Sequence, residues 1–151
     1  MATCREFGIS VVAYAPLGRG ILTPRHAEGK SSAADSTDIR EWLPRFSADN
    51  QKRNAALLKQ LTAFAQKKGC SVPQLALAWL LKQERDGVFV IPGTRRIKSL
   101  EQNIEAATSF ALTDAEEAEI RQYVESVEIA GDAYPEVIQG LYYRDSKALT
   151  V

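Results

Sequence analysis

Two short apolar runs constrain the fold of this chain more than any other feature. Residues 9–15 (ISVVAYA) and 87–92 (GVFVIP) are rich in β-branched side chains, and turn-forming residues follow or close each run. Short runs that are apolar at nearly every position are typical of strands covered on both faces, as in parallel sheets. Helical patterns fill much of the segment between them. The sequence therefore predicts a right-handed βαβ unit whose two strands are buried on both faces.

Terminal glycines and apolar spacing predict a helix on each side of the first strand. A short helix at the start of the chain is predicted to end at Gly8, and a longer one at Gly69, because glycine readily takes the left-handed conformation that closes a helix. The longer segment is predicted to be amphipathic, since its apolar residues recur at helical spacing. They are Leu57, Leu58, Leu61, Phe64 and Ala65.

Capping boxes predict where two further helices begin. Ser71 precedes Gln74, and Thr113 precedes Glu116, at the spacing in which the two side chains each bond the other's backbone N–H. The first box leads into LALAWLL, which is apolar around most of its circumference and predicts a helix packed on several sides. A helix after the second strand is predicted from the spacing of Leu100, Ile104 and Ala107.

Two stretches lack a sustained hydrophobic period. Residues 18–50 are predicted to form a long loop, and the tail over residues 128–151 is predicted to be irregular. Long loops in compact domains are usually functional or disordered, so ligand contact is expected first in the 18–50 loop. The sole histidine of the sequence, His26, is predicted to be a solvated loop residue. Four aromatic residues either shape a substrate pocket or only cover apolar surface: Trp42, Phe46, Tyr142 and Tyr143.

The composition limits the classes of partner. A length of 151 residues and 45% hydrophobic content suit a single domain over residues 1–151 with a real core. Nineteen basic residues balance nineteen acidic ones, so no global field favours nucleic acid, a membrane surface or an acidic partner. Cys4 and Cys70 lack metal-site spacing and are predicted to be small, buried or half-buried apolar residues. With no signal-peptide or membrane-span pattern, a cytoplasmic setting is expected.

Three basic residues crowd the start of the helix that follows the second strand. Arg95, Arg96 and Lys98 lie where the helix dipole is already positive and where acidic residues are usually favoured. One interpretation is a phosphate site, in which guanidinium groups, the Thr94 hydroxyl and first-turn N–H groups surround an anion. The other is that long side chains simply reach solvent from an exposed turn. The residues alone leave both interpretations open.

Four stretches of the sequence resemble consecutive signature segments of the aldo-keto reductase superfamily, in its branch of fungal and plant NADPH-dependent reductases. They cover nearly the whole chain, from residue 4 to about residue 127, in the family's order and at its separations. The stretches are VVAYAPLGRGILT, PRFSADN, CSVPQLALAWLLKQ and VIPGTRRIKSLEQNIEA.

The resemblance implies an α/β fold. The expected architecture is a partial TIM (β/α)8 barrel that comprises the last two βα units, strands 7 and 8, plus the C-terminal helices. It is helix-rich, with two or few short parallel strands, in a truncated single domain. A quarter of a barrel leaves strand edges open, so the chain is expected to pair with another copy or a partner chain, to collapse into a helix-rich domain, or to be an unstable remnant. The Met1 start suits a shortened gene model or a genuine short product equally.

The resemblance implies NADP as the cofactor and assigns one set of contacts to the turn after the first strand. In the family the tyrosine that closes strand 7 stacks on the nicotinamide, which corresponds to Tyr14 here, although an aromatic at a strand end is also a routine core residue. The following turn lies along the pyrophosphate in the family. Its positions here are Ala15, Pro16, Leu17, Gly18 and Arg19.

A second set of implied contacts follows the second strand. The turn that grips the 2′-phosphate of NADP corresponds here to Gly93, Thr94, Arg95 and Arg96. Many relatives have a lysine at the position of Gly93, so the two arginines are expected to take over part of that grip. The resemblance also assigns the adenine to Gln102 and Asn103, which otherwise suit plain surface amides.

The function implied by the resemblance is that of an NADP-linked oxidoreductase acting on a small-molecule carbonyl or alcohol. The family's catalytic tyrosine, lysine, aspartate and histidine come from strands that this sequence does not match. General acid catalysis needs a proton donor within hydrogen-bond reach, so no catalytic residue is predicted and redox activity of this chain alone is not expected. Two alternatives stay open. One is a repurposed half-barrel, working as an oligomer, with cyclase, isomerase or lyase activity in specialised metabolism; the other is an inactive remnant.

Overall fold

A computed structural model describes residues 2–23, 38–83 and 87–142. His26, the middle of the 18–50 loop, Tyr143 and the side chain of Tyr142 lie outside the described residues. The described elements, in chain order, are α1 (Ala2–Glu6), β1 (Val11–Ala13), α2 (Ala48–Lys68), α3 (Val72–Leu81), β2 (Val88–Val90), α4 (Ile97–Thr108), α5 (Asp114–Ser126) and α6 (Glu136–Tyr142). Short 3-10 turns occupy Gly18–Gly20, Ile39–Trp42 and Pro44–Phe46.

Residue contacts divide the chain into two units. The first comprises Met1–Ser31 and Ala55–Glu128, and the second comprises Ser32–Asn54 and Ile129–Val151. Helix α2 contributes residues to both. No helix within the described ranges is long and apolar enough to cross a membrane.

The predicted parallel pair of strands is confirmed. In the first unit β1 and β2 form a two-stranded parallel sheet in which Val11, Val12 and Ala13 lie opposite Val88, Phe89 and Val90. The order of helices and the parallel strands confirm a helix-rich α/β fold, consistent with part of a (β/α) barrel. Because both strands run in the same direction, their carboxyl ends, and the turns that follow them, lie at one edge of the sheet.

The prediction that both faces of these strands are buried is wrong. Alternate side chains of a strand point to opposite faces, and the face that carries Val88 is buried or half-buried while helix α3 packs against β2. On the other face Val12 is 58% exposed, and its cross-strand neighbour Phe89 is 57% exposed. An apolar run shows that a strand is hydrophobic, but the burial of each face depends on what packs there.

Helix boundaries follow the local signals in the sequence. Gly8 and Gly69 end α1 and α2 with φ angles of 62° and 73°, in the left-handed region where a residue with a Cβ is strained. At the start of α3, Ser71 Oγ accepts from the Gln74 N–H, and Gln74 Oε1 accepts from the Ser71 N–H at 3.0 Å. The start of α5 repeats this arrangement. Each box satisfies donors that the first turn of a helix would otherwise leave unpaired.

The core of the first unit lies between α2, α3 and α5. Phe64, Trp79 and Val124 pack around it with three other partly buried side chains, and half-buried Cys70 is among them. Burial raises the pKa of the Cys70 thiol, which keeps it in the neutral form, as expected for a small apolar core residue. The buried cluster consists of Ala65, Leu75, Ala78, Leu112 and Ile120.

Helix α4 forms where its apolar spacing predicts it, but the apolar side chains do not mark its packed face. Leu100 and Ile104 are exposed. Partial or full burial instead recurs at helical spacing at Ser99, Gln102 and Asn103, followed by Ala106, and α4 packs against α3. Small and polar side chains permit this close approach, and Gln74 of α3 donates to Glu105 of α4 at 2.9 Å. The spacing of the apolar residues therefore predicted that a helix forms, but it did not predict which face of the helix packs against α3.

In the second unit, the buried side chain of Asn54 is hydrogen-bonded to the backbone of Ala130. Its side-chain amide donates to the Ala130 carbonyl at 3.0 Å, and its carbonyl accepts from the Ala130 N–H at 2.8 Å. Arg45 adds two bonds to the next residues, from its backbone N–H to the Asp132 carbonyl and from Nε to the Gly131 carbonyl. These bonds replace strand pairing for backbone groups that would otherwise be left without partners.

The prediction of an irregular tail is wrong for residues 136–142, which form α6. Pro135 precedes the helix, and its carbonyl accepts from the N–H groups of Ile138 and Gln139. Seven residues make fewer than two full turns, so a hydrophobic period is too short to recognise in the sequence. Trp42 of the 18–50 region and Val137 of α6 are both strongly exposed in the second unit.

Candidate functional site

A cleft of about 440 Å³ lies at the carboxyl ends of β1 and β2, in the first unit. Its volume falls within the range of small-molecule sites, and the carboxyl ends of parallel strands are where α/β proteins usually place their ligands. The turn after β1 forms one side, and the turn after β2 forms the other. The lining residues are Tyr14, Ala15, Pro16, Leu17, Arg19, Gly20, Thr23, Ile91, Pro92 and Gly93.

Six of the twelve residues that the sequence assigned to the cofactor therefore line one cleft. The structure joins two turns that are separated by more than 70 residues in the sequence. Gly18 lies in the same turn, between two lining residues, and Thr94 directly follows Gly93. Arg95, Arg96, Gln102 and Asn103 continue from this edge into α4 and are not part of the cleft lining.

The turn after β1 contains an unusual run of left-handed backbone. Gly18, Arg19 and Gly20 have φ angles of 57°, 56° and 95°, and Ala15 has a φ of 48°. Glycine adopts such angles freely, but alanine and arginine do so at a cost of roughly 1–2 kcal/mol each. A Cβ at Gly18 would also lie 2.7 Å from the Ile21 Cγ2 atom. Strained residues concentrate at binding sites, and this concentration marks the turn as a candidate.

Tyr14 stands at the mouth of the cleft with most of its ring in solvent. Its side chain is 68% exposed, so the alternative of a routine core residue does not describe it in this chain. The Arg19 guanidinium lies 5.9 Å from the centre of the ring, and its Nη2 donates to the Tyr14 hydroxyl at 3.4 Å. A flat aromatic surface and a cation are thus held side by side.

Four lining residues received no individual assignment from the sequence, although Gly20 and Thr23 belong to the 18–50 loop in which ligand contact was expected. Ile91 and Pro92 extend β2 into the cleft, and Ile91 is 56% exposed. Gly20 and Thr23 complete the other turn, where the Thr23 hydroxyl donates to the Gly20 carbonyl at 2.6 Å. All four lie within four residues of an assigned position in the sequence. Proximity to the assigned turns was therefore the signal that could have found them.

The beginning of α4 differs from that of the other long helices with resolved caps. Its N-cap residue is Arg96, which has no side-chain acceptor for first-turn N–H groups, and the first turn contains no acidic residue. Thr94 Oγ1 instead accepts from the Arg96 N–H at 3.2 Å. Thr94, Arg95 and Arg96 are all exposed. The edge of the cleft thus combines first-turn N–H groups, a hydroxyl and two guanidinium groups, which are the donors that bind phosphate in proteins.

The electrostatic character of the cleft is cationic. Among the lining residues in the described part of the chain, Arg19 is the charged one and none is acidic. Among the described residues, a carboxylate with a strongly lowered pKa lies elsewhere, at the partly exposed start of α5. There the hydrogen bonds from Lys68, and then from the Thr113 N–H, lower the pKa of Glu116 to about 2. The charges of the cleft therefore suit an anion, whereas those of the core form internal pairs.

Comparison with known proteins identifies a family and a similar curated protein. A sequence profile described as the Aldo/keto reductase family matches residues 1–125, a range that includes both turns of the cleft. A relative named Aldo-keto reductase str7, from Strobilurus tenacellus, is 41% identical over 132 residues. That alignment covers 87% of this chain and 38% of the relative. The chain thus spans less than two fifths of the length of this relative.

Proposed function

Because this chain belongs to the aldo/keto reductase family, we propose that its strand-end cleft and the basic start of α4 bind NADPH. NAD(P)H is the cofactor that the family generally uses. In this proposal the chain forms the cofactor-binding part of an oxidoreductase that acts on a small-molecule carbonyl or alcohol. The identity of that substrate lies beyond the residues described.

One observation carries the proposal. The turns after β1 and β2 are distant in sequence, yet they form the two walls of a single cleft of about 440 Å³. The family resemblance assigns the nicotinamide and pyrophosphate to the first turn and the 2′-phosphate to the second. A dinucleotide whose nicotinamide and pyrophosphate contact the first turn and whose 2′-phosphate contacts the second needs both turns within its length, and the shared cleft supports this assignment.

The residues present suit such a ligand in shape and in charge. The position of a Cβ on Gly93 has no atom within 4 Å, so the wall after β2 leaves open space for a ligand. Gly18 and Gly20 let the opposite backbone turn tightly with no side chain in the way, and Arg19 adds a positive charge. Arg95 and Arg96 at the edge supply donors in the planar geometry that matches a phosphate.

In the proposed complex the residues of this chain bind and orient the cofactor. The exposed ring of Tyr14 offers a flat apolar surface for stacking, and the glycine-rich turn offers backbone N–H groups and the Arg19 charge to phosphate oxygens. The first turn of α4 and the two arginines that precede it hold the 2′-phosphate. When bound, NADPH supplies the hydride for carbonyl reduction.

Carbonyl reduction also needs a proton donor, and the family's donors come from strands that this sequence does not match. We therefore propose that reductase activity requires a further polypeptide segment that provides them. Exposed Val12 and Phe89 on one face of the sheet support a second copy or a partner chain as the cover for that face, since an apolar sheet face is normally packed. A cytoplasmic location remains a part of this proposal.

The decisive experiment compares NADPH with NADH, which lacks the 2′-phosphate. Replacing Arg95→Ala and Arg96→Ala together should weaken NADPH binding roughly 10- to 100-fold, which corresponds to a total loss of about 1.5–3 kcal/mol, the range of one hydrogen bond to a charged group. NADH binding should change less than about twofold. Affinities are measured by nicotinamide and protein fluorescence during titration of each cofactor.

Exposed Arg53 of α2 provides the matched control. Arg53→Ala removes the same charge from a residue that does not line the cleft and should leave both affinities unchanged. Equal losses for NADPH and NADH in the double variant would refute the 2′-phosphate assignment. Absence of any binding at high micromolar NADPH would refute the cofactor proposal and leave the non-redox and inactive alternatives.

A further inference from the structure

The buried side chain of Gln74 connects α3 to α4. Gln74 is 6% exposed, and its Oε1 atom accepts from the Ser71 N–H in the capping box of α3. Its Nε2 atom donates to Oε2 of Glu105 in α4 at 2.9 Å. Among the residues of α3 and α4, all of which the structure describes, this is the side-chain hydrogen bond that joins the two helices. One amide group therefore caps α3 and binds α4.

The packed face of α4 makes this bond important for the position of the helix. Small and polar residues form the face, and Ala106 is buried there against α3. The larger apolar side chains of Leu100 and Ile104 are exposed instead. Side chains that interlock as ridges and grooves normally fix how two helices lie against each other, and small residues offer little to interlock. A directional hydrogen bond to a carboxylate can fix the position of α4 along α3.

The same helix carries the proposed contacts to the adenosine end of the cofactor. Arg96 is the N-cap residue of α4, and the family resemblance assigns Gln102 and Asn103 to the adenine. Glu105 lies nine residues after Arg96, which is about 13 Å along a helix that rises 1.5 Å per residue. Because a helix moves as a nearly rigid element over this length, a shift at Glu105 also displaces the donors at the start of α4.

We propose that Glu105, held by Gln74, is a positioning residue for anion binding at the start of α4. Glu105 itself does not touch the ligand. It holds α4 at the place along α3 where the donors around Arg96 meet the 2′-phosphate. This role rests on the proposed function for the identity of the ligand. It adds a residue that belongs neither to the cleft lining nor to the contacts assigned by the family resemblance.

The charge of Glu105 gives a positioning role and a purely electrostatic role opposite signs. A carboxylate repels an anion, so loss of its charge alone should leave NADPH binding unchanged or strengthen it slightly. Loss of a positioning contact should weaken NADPH binding. Glu105→Ala removes the acceptor at an exposed helical position, where alanine favours the helix and the chain should still fold. This variant should bind NADPH roughly three- to tenfold more weakly in a fluorescence titration.

Two substitutions in the same helix are the controls. Glu105→Gln removes the charge but keeps an oxygen that can accept from Gln74, so NADPH affinity should stay within about twofold of wild type. Glu101 is exposed and lies one turn earlier. Glu101→Ala removes the same charge and keeps the bond between the helices, so it should not weaken NADPH. Equal or tighter binding by Glu105→Ala overturns the positioning role, as does an equally large loss in either control.

Hydrogen exchange of backbone amides tests the position of α4 without any ligand. In Glu105→Ala the amides of α4 should exchange roughly threefold or more faster than in wild type, and those of α5 should not change. Glu105→Gln should retain the wild-type rates. Unchanged exchange in α4 overturns the positioning role.

The two measurements together separate this role from the proposed function. If wild type does not bind NADPH but exchange in α4 follows the expected pattern, the cofactor proposal fails and the positioning of α4 by Glu105 stands. If NADPH binds with the predicted preference but Glu105→Ala changes neither its affinity nor the exchange, the positioning role fails and the cofactor proposal stands.

Discussion

The helical core and the strand-end cleft belong to the same unit but differ in helix capping, charge pairing and burial. In the core, α3 and α5 begin with complete capping boxes, and the first turn of α5 carries three acidic residues. The Lys68 ammonium pairs with Glu116 at 2.9 Å, and the cluster around Leu75 is closed to solvent. Near the cleft, α4 has Arg96 as its N-cap and no acidic residue in its first turn, while Tyr14 is exposed and Ala15 and Arg19 have left-handed backbone angles.

The difference shows where stability and binding are separated in this chain. A region in which caps, charges and packing agree is optimised for folding, whereas proteins usually break local rules at functional sites. The cleft offers three features that an anionic ligand would use: open space, a left-handed glycine turn and positive charge. Substitutions in the two regions should therefore affect different measurements.

The largest effect is expected in the core. Leu75 is 3% exposed, and Leu75→Ala should lower the free energy of unfolding by about 2–5 kcal/mol through lost burial and the cavity left behind. Leu141 of α6 is 80% exposed, so Leu141→Ala should change it by less than about 0.5 kcal/mol. Urea denaturation followed by circular dichroism measures both. Similar values for the two variants would contradict the description of the core.

An intermediate effect is expected at the glycines of the cleft. Gly18→Ala places a Cβ at a φ of 57° and 2.7 Å from Ile21, and should lower the free energy of unfolding by about 1–2 kcal/mol. Gly93→Ala is the matched control, because nothing lies within 4 Å of its Cβ position, and stability should hardly change. A loss at Gly93 as large as that at Gly18 would show that the two turns do not differ in strain.

The smallest effect on stability is expected at the start of α4. Here the substitution should stabilise the chain, whereas the two preceding ones destabilise it. Arg96→Asp supplies an N-cap acceptor and a negative charge beside the positive end of the helix dipole, which should raise the free energy of unfolding by about 0.5–1 kcal/mol. The same change should weaken NADPH binding at least tenfold, since it places a negative charge beside the proposed phosphate. Denaturation and cofactor titration of one sample test both.

Arg96→Ala separates the effect of losing the positive charge from the effect of gaining an N-cap acceptor. It removes the positive charge without adding a cap, so it should weaken NADPH with a smaller gain in stability. If Arg96→Asp destabilised the chain, the start of α4 would already be optimised for folding, and the contrast between the two regions would be lost.

Much of the local structure was predictable because it depends on neighbours in sequence. Ser71 and Thr113 cap helices through residues three positions away, and Gly8 and Gly69 end helices through their own backbone freedom. The seven-residue helix α6 escaped prediction because it is too short to show a period. The packed face of α4 also escaped, since small and polar residues at Ser99 and Ala106 carry no apolar signal.

The sequence by itself determined the order of the helices before α6, the parallel character of the strands and the family, which depend on local bonding and on ordered motifs. Only the tertiary structure decided that one face of the strands is exposed, that Gly93 and the turn after β1 share a cleft, and that Arg19 lies against Tyr14. Those properties depend on contacts between residues that are distant in sequence, and an apolar run or a basic turn does not specify which residues will pack against it. Burial and site geometry are therefore properties of packing, whereas element boundaries are properties of the chain.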